Sequence, residues 1–413
     1  MKRTGLGLVV AGVVGLGCSW ACSSTSSGGP DLGPGSGGSG TGAFGALGGG
    51  AGAGNQGGGI QFDAGGGGNG GGVNCNSGPN DDQDGDGFTP NQGDCNDCDA
   101  NANPGAFDVP GNSVDEDCNG QVDDEVTTCD TGIPDIGYAD PMSAAQALGL
   151  CKVATPGQPG WGVLEAKYVK ADGSAGMNPL SHGLLPNFGP NVQVQEGVRL
   201  LALSSGAARR PGDVGYLSPS EGSMGTVSQQ PPGFPIDTPA CPGVVTGGTA
   251  NDPAGLELKL RVPTNAKSFT FNFNFYTSEY PVYICTQWND FFVVLQNPAP
   301  TNAVQGNISF DAQNNPVSVN NGLLEVCTPG NHGGKTFACP LGVGQLQGTG
   351  FEGSAATGWL ETQSPVEPGS EVTLRFTVYD VGDDWLDSTV LIDNFKFSVE
   401  EATGGSVTKP VPR

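Results

Sequence analysis

The chain has almost no histidine, little positive charge and one long apolar run, and each shortage removes a class of function. Two His occur in 413 residues, with no G-x-S-x-G elbow and no H-E-x-x-H pair. The usual α/β-hydrolase elbow and the zincin helix are therefore excluded. A Ser–His–Asp arrangement on His182 or His332 stays open, because triads are set by geometry and not by order. A solvated loop histidine is the simpler reading of both. Lys and Arg number 16 against 42 acids, for a net charge of −26, and none lies between Arg3 and Lys152. Such a chain repels phosphate backbones, so nucleic acid is excluded as a partner. The one long apolar run, residues 6–16, is too short to span a bilayer as a mature helix.

That run sits in an N-terminus with the layout of an export signal. Lys2 and Arg3 precede it, and small residues then lead to Cys18 and Cys22. The arrangement resembles a bacterial lipoprotein signal (residues 1–22), which implies lipidation at Cys18 or Cys22. Gly15 and Ser19 stand three residues before those cysteines, where the signal usually has Leu or Val. The expectation is an exported protein, an outer-membrane or cell-surface lipoprotein of a Gram-negative bacterium held to the membrane by its N-terminal lipid. Simple secretion is the main alternative, and an uncleaved anchor a lesser one. Residues 23–74 follow as a tether, in which 24 of the 45 residues from 28 to 72 are Gly. A chain this poor in apolar side chains cannot offset its own entropy and behaves as a flexible coil. About 50 such residues span roughly 40 Å. The G-x-G-x-x-G matches inside it follow no strand and open no helix, so they are not nucleotide sites.

Residues 75–130 are dense in acid instead. Fourteen acids and no base lie between Cys75 and Glu125. Asp82, Asp84 and Asp86 alternate ahead of Gly87, giving D-x-D-x-D-G. Oxygen ligands at alternate positions face one concave turn, and the glycine takes the sharp bend, which is how a loop wraps a hard cation such as calcium. The bland alternative is a solvated acidic run, but such runs rarely interleave their acids with Cys95, Cys98 and Cys118. An EF-hand is not indicated: Gly93 stands where the twelfth-position Glu would be, and no amphipathic helix flanks the loop. This stretch has no His and no Met, so its ligands are oxygens, which suits calcium better than copper or zinc.

The order of its parts resembles a metal-binding motif of bacterial surface proteins. The parts are Asp82, Asp84, Asp86, Gly87 and Phe88; then Asp94, Cys95, Asn96 and Asp97; then Asn103, Pro104, Gly105 and Ala106; then Asp115, Glu116, Asp117, Cys118, Asn119, Gly120 and Asp123. Two departures are Asp108, where the family usually has Glu, and the extra thiol of Cys98. The resemblance implies a Cys95–Cys118 disulfide. It also implies one or two calcium ions enclosed by Asp82, Asp84, Asp86, Asp94, Asp97, Asp115, Asp117 and Asp123, with the Phe88 backbone carbonyl contributing. Ten cysteines lie beyond the signal, six by residue 151 and four after it, which in an exported chain argues for disulfides. Cys327 with Cys339 would close a short loop; the other pairings cannot be read from spacing.

Residues 138–400 read as mostly β. One short helix is signalled by Asp140 as cap and Pro141 in the first turn, running over 142–150. Alternating patterns predict strands at 163–169, 198–204, 256–262, 269–275, 291–296, 308–310, 372–378 and 389–397. Phe269, Phe271, Phe273 and Phe275 share one face and read as core. Half-buried alternating strands without a βαβ rhythm imply an antiparallel β-sandwich or jelly roll. Residues 401–413 read as a flexible tail.

Within that domain the runs Phe273, Asn274, Phe275, Tyr276, Thr277, Ser278, Glu279, Tyr280, Pro281 and Asp380, Val381, Gly382, Asp383 carry a second resemblance. With Tyr283, Cys285, Trp288, Asn289, Asp290, Phe291, Leu386, Asp387, Ser388, Leu391, Ile392, Asp393, Asn394 and Phe395, they resemble the choice-of-anchor L domain. That family occurs in exported and surface-anchored bacterial proteins, and its biochemical activity is not established. Glu279, Asp290, Asp383, Asp387 and Asp393 are candidates for a second calcium site pinning loops at one end of the sandwich; the alternative is that they cap turns. Three functions stay open. The first is a non-catalytic, calcium-stabilised surface lipoprotein for display, adhesion or envelope structure. The second is a glycan-binding module using Trp161, Trp288, Trp359 or Trp385 as platforms, and the third a secreted hydrolase. The first fits best, with a surface glycan or protein as its ligand.

Overall fold

The computed structural model describes residues 77–412, residue 246 excepted. The expected signal with Cys18 and Cys22, the tether and Cys75 lie outside the described residues. The described residues fall in a single unit. No helix among the described residues is long and apolar enough to cross a membrane.

The one α-helix among the described residues, α1 (Pro141–Ala147), starts where its cap predicts: the Asp140 carboxylate accepts the Met142 N–H, with Pro in the first turn. Everything else regular is strand or single-turn 3-10 helix. The first strands are β1 (Gly162–Val169), β2 (His182–Leu185), β3 (Leu200–Ser204), β4 (Val227–Ser228) and β5 (Ala250–Arg261). Next come β6 (Ser268–Thr277), β7 (Phe291–Asn297), β8 (Val317–Ser318), β9 (Gly330–His332) and β10 (Lys335–Phe337). The last are β11 (Ala355–Ala356), β12 (Leu360–Pro365), β13 (Glu371–Asp380), β14 (Ser388–Ser398) and β15 (Val407–Pro410).

Among the described residues two large antiparallel sheets result, beside a two-stranded β9–β10 pair. One runs β1-β5-β13-β7-β8 with β4 beside β5; the other runs β15-β12-β6-β14-β3-β2 with β11 beside β6. Their facing sides form the core of a sandwich. Leu256, Leu258, Leu260, Leu374 and Phe376 come from the first sheet, and Phe269, Phe271, Phe273, Phe275, Val390 and Ile392 from the second. The Phe stripe is packing, as its alternation predicts: Phe271 meets Phe376 edge-on at 5.1 Å and Phe273 meets Phe292 at 5.0 Å across the layers. The opposite face of β6 is covered too, since Tyr276 packs among Phe188, Leu346 and Phe351 from the long connections.

Three local differences from the sequence reading have physical causes. β3 begins at Leu200 and not at 198, because the Asp130 carboxylate takes the Val198 and Arg199 amides at 2.8 and 2.6 Å. Residues 308–310 make only isolated bridges. The Asn307 side chain there accepts the Val294 and Ser309 amides, and Phe310 faces Pro316, which has no N–H to pair. Residues 407–410, read as part of a flexible tail, form β15 along β12, with Thr408 bonded to Thr362 and Lys409 paired with Glu361.

Disulfides join Cys95 to Cys118, Cys129 to Cys151, Cys241 to Cys285 and Cys327 to Cys339. Cys98 is disulfide-bonded as well. The acidic segment holds no strand. It lies against the β5–β6 turn through its Asn-Pro-Gly-Ala stretch. Gly105 O accepts the Thr264 N–H at 2.9 Å, Asn265 brackets Phe107 with two bonds, and Trp161 Nε1 donates to Ala106 O at 2.7 Å. A Cβ on Gly105 would come within 2.8 Å of Thr264 Cγ2, so this contact requires glycine.

Candidate metal centre

The loop from Asp82 to Asp97 folds because its own amides satisfy both oxygens of Asp82 and one oxygen each of Asp84, Asp86, Asp94 and Asp97. Gly85 and Gly87, both at positive φ, let the chain turn so that their N–H groups reach Asp82 at 2.7 and 3.1 Å. Asp84 accepts from the Asp86 amide, Asp86 from Phe88, Asp94 from Asn96 and Asp97 from Gln83, each through Oδ1. The second oxygens are different. Oδ2 of Asp84, Asp86, Asp94 and Asp97 are all buried and none has a hydrogen-bond partner. Asp82, Asp84 and Asp86 bring ligand atoms within 4.8 Å of one another, and so do Asp84, Asp94 and Asp97. Asp84 belongs to both groups and joins them. Burial pushes the Asp86 carboxyl up to about 6, with Asp84 and Asp94 adding to the rise, and burial raises Asp94 in the same way. Buried anionic oxygens facing one another without a donor fit a hard cation with oxygen ligands.

The second half of the acidic segment is built otherwise. Asp108, Asp115 and Asp117 also lie within 4.8 Å of one another. Here the chain has used the oxygens. Asp108, fully buried, accepts the amides of Glu116, Asp117 and Asp124 at 2.9, 3.1 and 3.2 Å. Asp115 accepts from Asn119 and Gly120. Asp117 accepts from Asn119 and pairs with Lys152 Nζ at 3.0 Å. Asp123 caps the turn at 111–113, taking the Gly111 and Asn112 amides at 2.7 and 3.1 Å and that of Ser113. The eight aspartates expected around one or two ions therefore divide. Asp82, Asp84, Asp86, Asp94 and Asp97 converge, and the last four each keep one free oxygen, whereas both oxygens of Asp82, like those of Asp115, Asp117 and Asp123, are taken by protein donors. Phe88 lies within the loop, just after Gly87, and gives its amide to Asp86. Asp108 organises the second half, although its position signalled only a departure from the motif.

Of the residues expected at a second site, Glu279, Asp290 and Asp387 are buried at one end of the sandwich, and Asp383 is half-buried beside them. Asp393 is not among them. It sits at the β14 bulge, where Oδ2 takes the Gln195 amide at 2.7 Å and Oδ1 the Asn394 amide at 2.7 Å, so it pins a turn. Asp380, which ends β13, faces the cluster and was passed over; its alignment with Asp290 at the ends of two paired strands is the signal that could have found it.

Two family models match the chain, whereas neither curated proteins nor solved structures gave a match. A metal-binding motif model covers residues 94–124. It thus spans Asp94, Asp97 and the backbone-tied half, while Asp82, Asp84 and Asp86 lie ahead of it. The second model, the choice-of-anchor L domain, covers residues 166–398, which is more than half of the chain and takes in the strands of both sheets except β15 and the first half of β1. Such domains place a protein at the cell surface or outside the cell, and on this match the chain belongs to the choice-of-anchor L domain family.

Proposed function

We propose that the chain is a non-catalytic cell-surface protein whose acidic loop is closed by calcium and whose sandwich serves display, adhesion or envelope structure. The observation that carries this reading is the set of four buried, partnerless carboxylate oxygens on Asp84, Asp86, Asp94 and Asp97. Asp82 and the same four residues would hold the ion, with water completing the six to eight oxygens calcium takes. The ion supplies charge neutralisation and no redox or Lewis-acid step is assigned to it. By closing the loop it steadies the Asn-Pro-Gly-Ala stretch that docks on the sandwich, so calcium outside the cell fixes the acidic segment in place. The low histidine content supports a non-catalytic reading. His182 is buried, stacked on Tyr168 at 4.0 Å and set near Arg209. Burial first and Arg209 second pull its imidazole down to about 4, so it stays neutral at ordinary pH. Among the four tryptophans weighed as sugar platforms, Trp385 is exposed and Trp161 is buried, with the other two between. A paired aromatic platform therefore has no support from their burial.

Attachment through a lipidated Cys18 or Cys22 belongs to the same proposal. Growth with a labelled fatty acid should mark the wild-type protein, and replacing both cysteines by Ser should abolish the mark. Release of unlabelled protein after signal cleavage would replace the anchor by secretion. Loop closure is tested by limited proteolysis of the full chain with calcium and with chelator. Cleavage between residues 80 and 100 should appear only with chelator.

A further inference from the structure

Two connections cross between the sheets at one end of the sandwich, residues 278–290 from β6 to β7 and residues 381–387 from β13 to β14. Pairing of β13 with β7 sets Tyr379 opposite Phe291, so Asp380 and Asp290 come next on facing chains. Pairing of β14 with β6 sets Ser388 opposite Thr277, which brings Asp387 and Glu279 to the same end. Ser388 Oγ donates to Asp290 Oδ2 at 2.6 Å, and the Asp290 amide donates to Glu279 Oε2 at 3.3 Å. A Cβ on Gly206 would overlap Asp387 Oδ2, so only glycine admits that carboxylate. All four acids are at most 2 % exposed. None of the ion pairs among the described residues involves them.

Acid density alone would not make this a site. The further observation is Asp380. Its carboxylate is fully buried and lies beside Asp290 and Asp387, and neither oxygen has a hydrogen-bond partner. Ser205 and Asp290 approach it without an aligned bond, and the Ser205 hydroxyl is already engaged with Ser388. Asn289 adds to this. It is fully buried, both polar atoms of its side chain are partnerless, and its backbone N–H reaches Val381 O at 3.2 Å on the facing connection.

The geometry points to a second cation site here, for a hard divalent ion of the calcium class. Asp380 and Asp290 are its central ligands, Glu279 and Asp387 flank them, and the Asn289 side-chain carbonyl supplies a neutral oxygen. The groups whose ligand atoms already lie within 4.8 Å belong to the acidic segment, so the sandwich cluster is wider and the ion draws the two connections together. Carboxylates without a counter-ion repel and stand apart, and a roomy, flexible oxygen set selects calcium over magnesium. The connection bearing Glu279 and Asp290 is held ready by the Cys241–Cys285 disulfide and by the bond from the Cys285 amide to Asn320 at 2.7 Å. The competing arrangement keeps these acids neutral with bound protons, which burial also favours. Only the ion requires an outside ligand.

Trp288 provides the test. It precedes Asn289, and its ring lies against Gly382 of the facing connection. Terbium, a calcium mimic, should therefore light up on indole excitation when it enters this site. The protein is the full chain carrying Asp84→Asn and Asp86→Asn, freed of calcium, so that the acidic loop does not contribute. Saturable terbium emission that calcium displaces is expected, and adding Asp380→Asn should remove it. Should that variant misfold by circular dichroism, Glu279→Gln serves instead and should weaken terbium binding at least tenfold. No emission in the Asp84→Asn, Asp86→Asn protein, or emission that Asp380→Asn and Glu279→Gln leave unchanged, overturns the site in favour of bound protons.

Discussion

The two halves of the acidic segment have nearly the same composition and opposite electrostatics. In residues 82–97 each of four aspartates bonds one oxygen to the chain and leaves the other buried without a partner. In residues 108–124 the amides of the chain and Lys152 take up the oxygens. Both halves hold three carboxylates within 4.8 Å, where a pair of charges repels by roughly 3 kcal/mol at an effective dielectric near 20. One half answers that repulsion with protein donors to its oxygens, and the other has no donor for the second oxygens of four aspartates. A metal site is thus marked by what its carboxylates fail to bond and not by how many there are.

The sharpest way to break this contrast is Asp108→Ala. It strands three amides, two of them on the buried turn at 116–117, and should cost roughly 3 kcal/mol or more. Calcium uptake at residues 82–97 should stay intact in whatever fraction folds, as read by thermal melts alongside a calcium titration. A variant that loses calcium without losing stability would reverse the roles of the two halves. Asp84→Asn with Asp86→Asn should do the opposite. An ion bound only by the folded state at a hundredfold excess over Kd contributes about 2.7 kcal/mol. The double variant should lose about that much of the calcium-dependent stability and keep only the share that the sandwich site contributes. Magnesium should substitute poorly in the wild type, since it demands a smaller, near-octahedral site.

A smaller effect comes from Asp393, whose neighbourhood lies apart from both halves. Burial pushes its carboxyl up to about 7 against amide bonds from Gln195, Asn394 and Glu196 that pull it down. A raised acid binds its proton more tightly in the folded state. Its stabilisation is therefore present below the ordinary aspartate value near pH 4 and is lost as pH rises through about 7. The loss is roughly 4 kcal/mol, at about 1.4 kcal/mol per pKa unit, and Asp393→Asn should flatten melting temperature against pH across that window. An unchanged slope would mean another group titrates there. The smallest effect is expected from Lys152→Met. Its pair with Asp117 is partly exposed, so the change should cost about 1 kcal/mol or less and leave calcium uptake unaltered.

How much of this was legible in sequence follows from the range of each interaction. D-x-D-x-D-G at 82–87 was readable because alternate oxygens and a glycine bend are local, and the Phe stripe of β6 because period two is local. Which carboxylate stays unbonded is not local. Asp97 meets Gln83 across 14 residues, and Asp123 reaches back to Gly111 across 12; both looked alike as acids. Asp108 was noticed as a departure, yet its three amide partners exist only once the 108–124 turn has folded. The sandwich end was half readable. Glu279, Asp290 and Asp387 were singled out and do gather. Asp380 was read only as part of the family mark, because the alternation at 372–378 stops short of it, and Asp393 was added because the bulge that turns it away carries no sequence mark. The docking of the Asn-Pro-Gly-Ala stretch on Thr264 and Asn265 spans 158 residues at its Phe107–Asn265 bonds, which no local pattern encodes.

The most direct test of the central contrast is isothermal titration of calcium into three calcium-free full-length proteins: wild type, Asp84→Asn with Asp86→Asn, and Asp115→Asn with Asp117→Asn. The unbonded-oxygen account predicts that the first pair of changes removes one class of site and the second pair removes none. Loss of a site in the Asp115, Asp117 variant with full uptake in the Asp84, Asp86 variant, or no uptake by the wild type up to millimolar calcium, would contradict it.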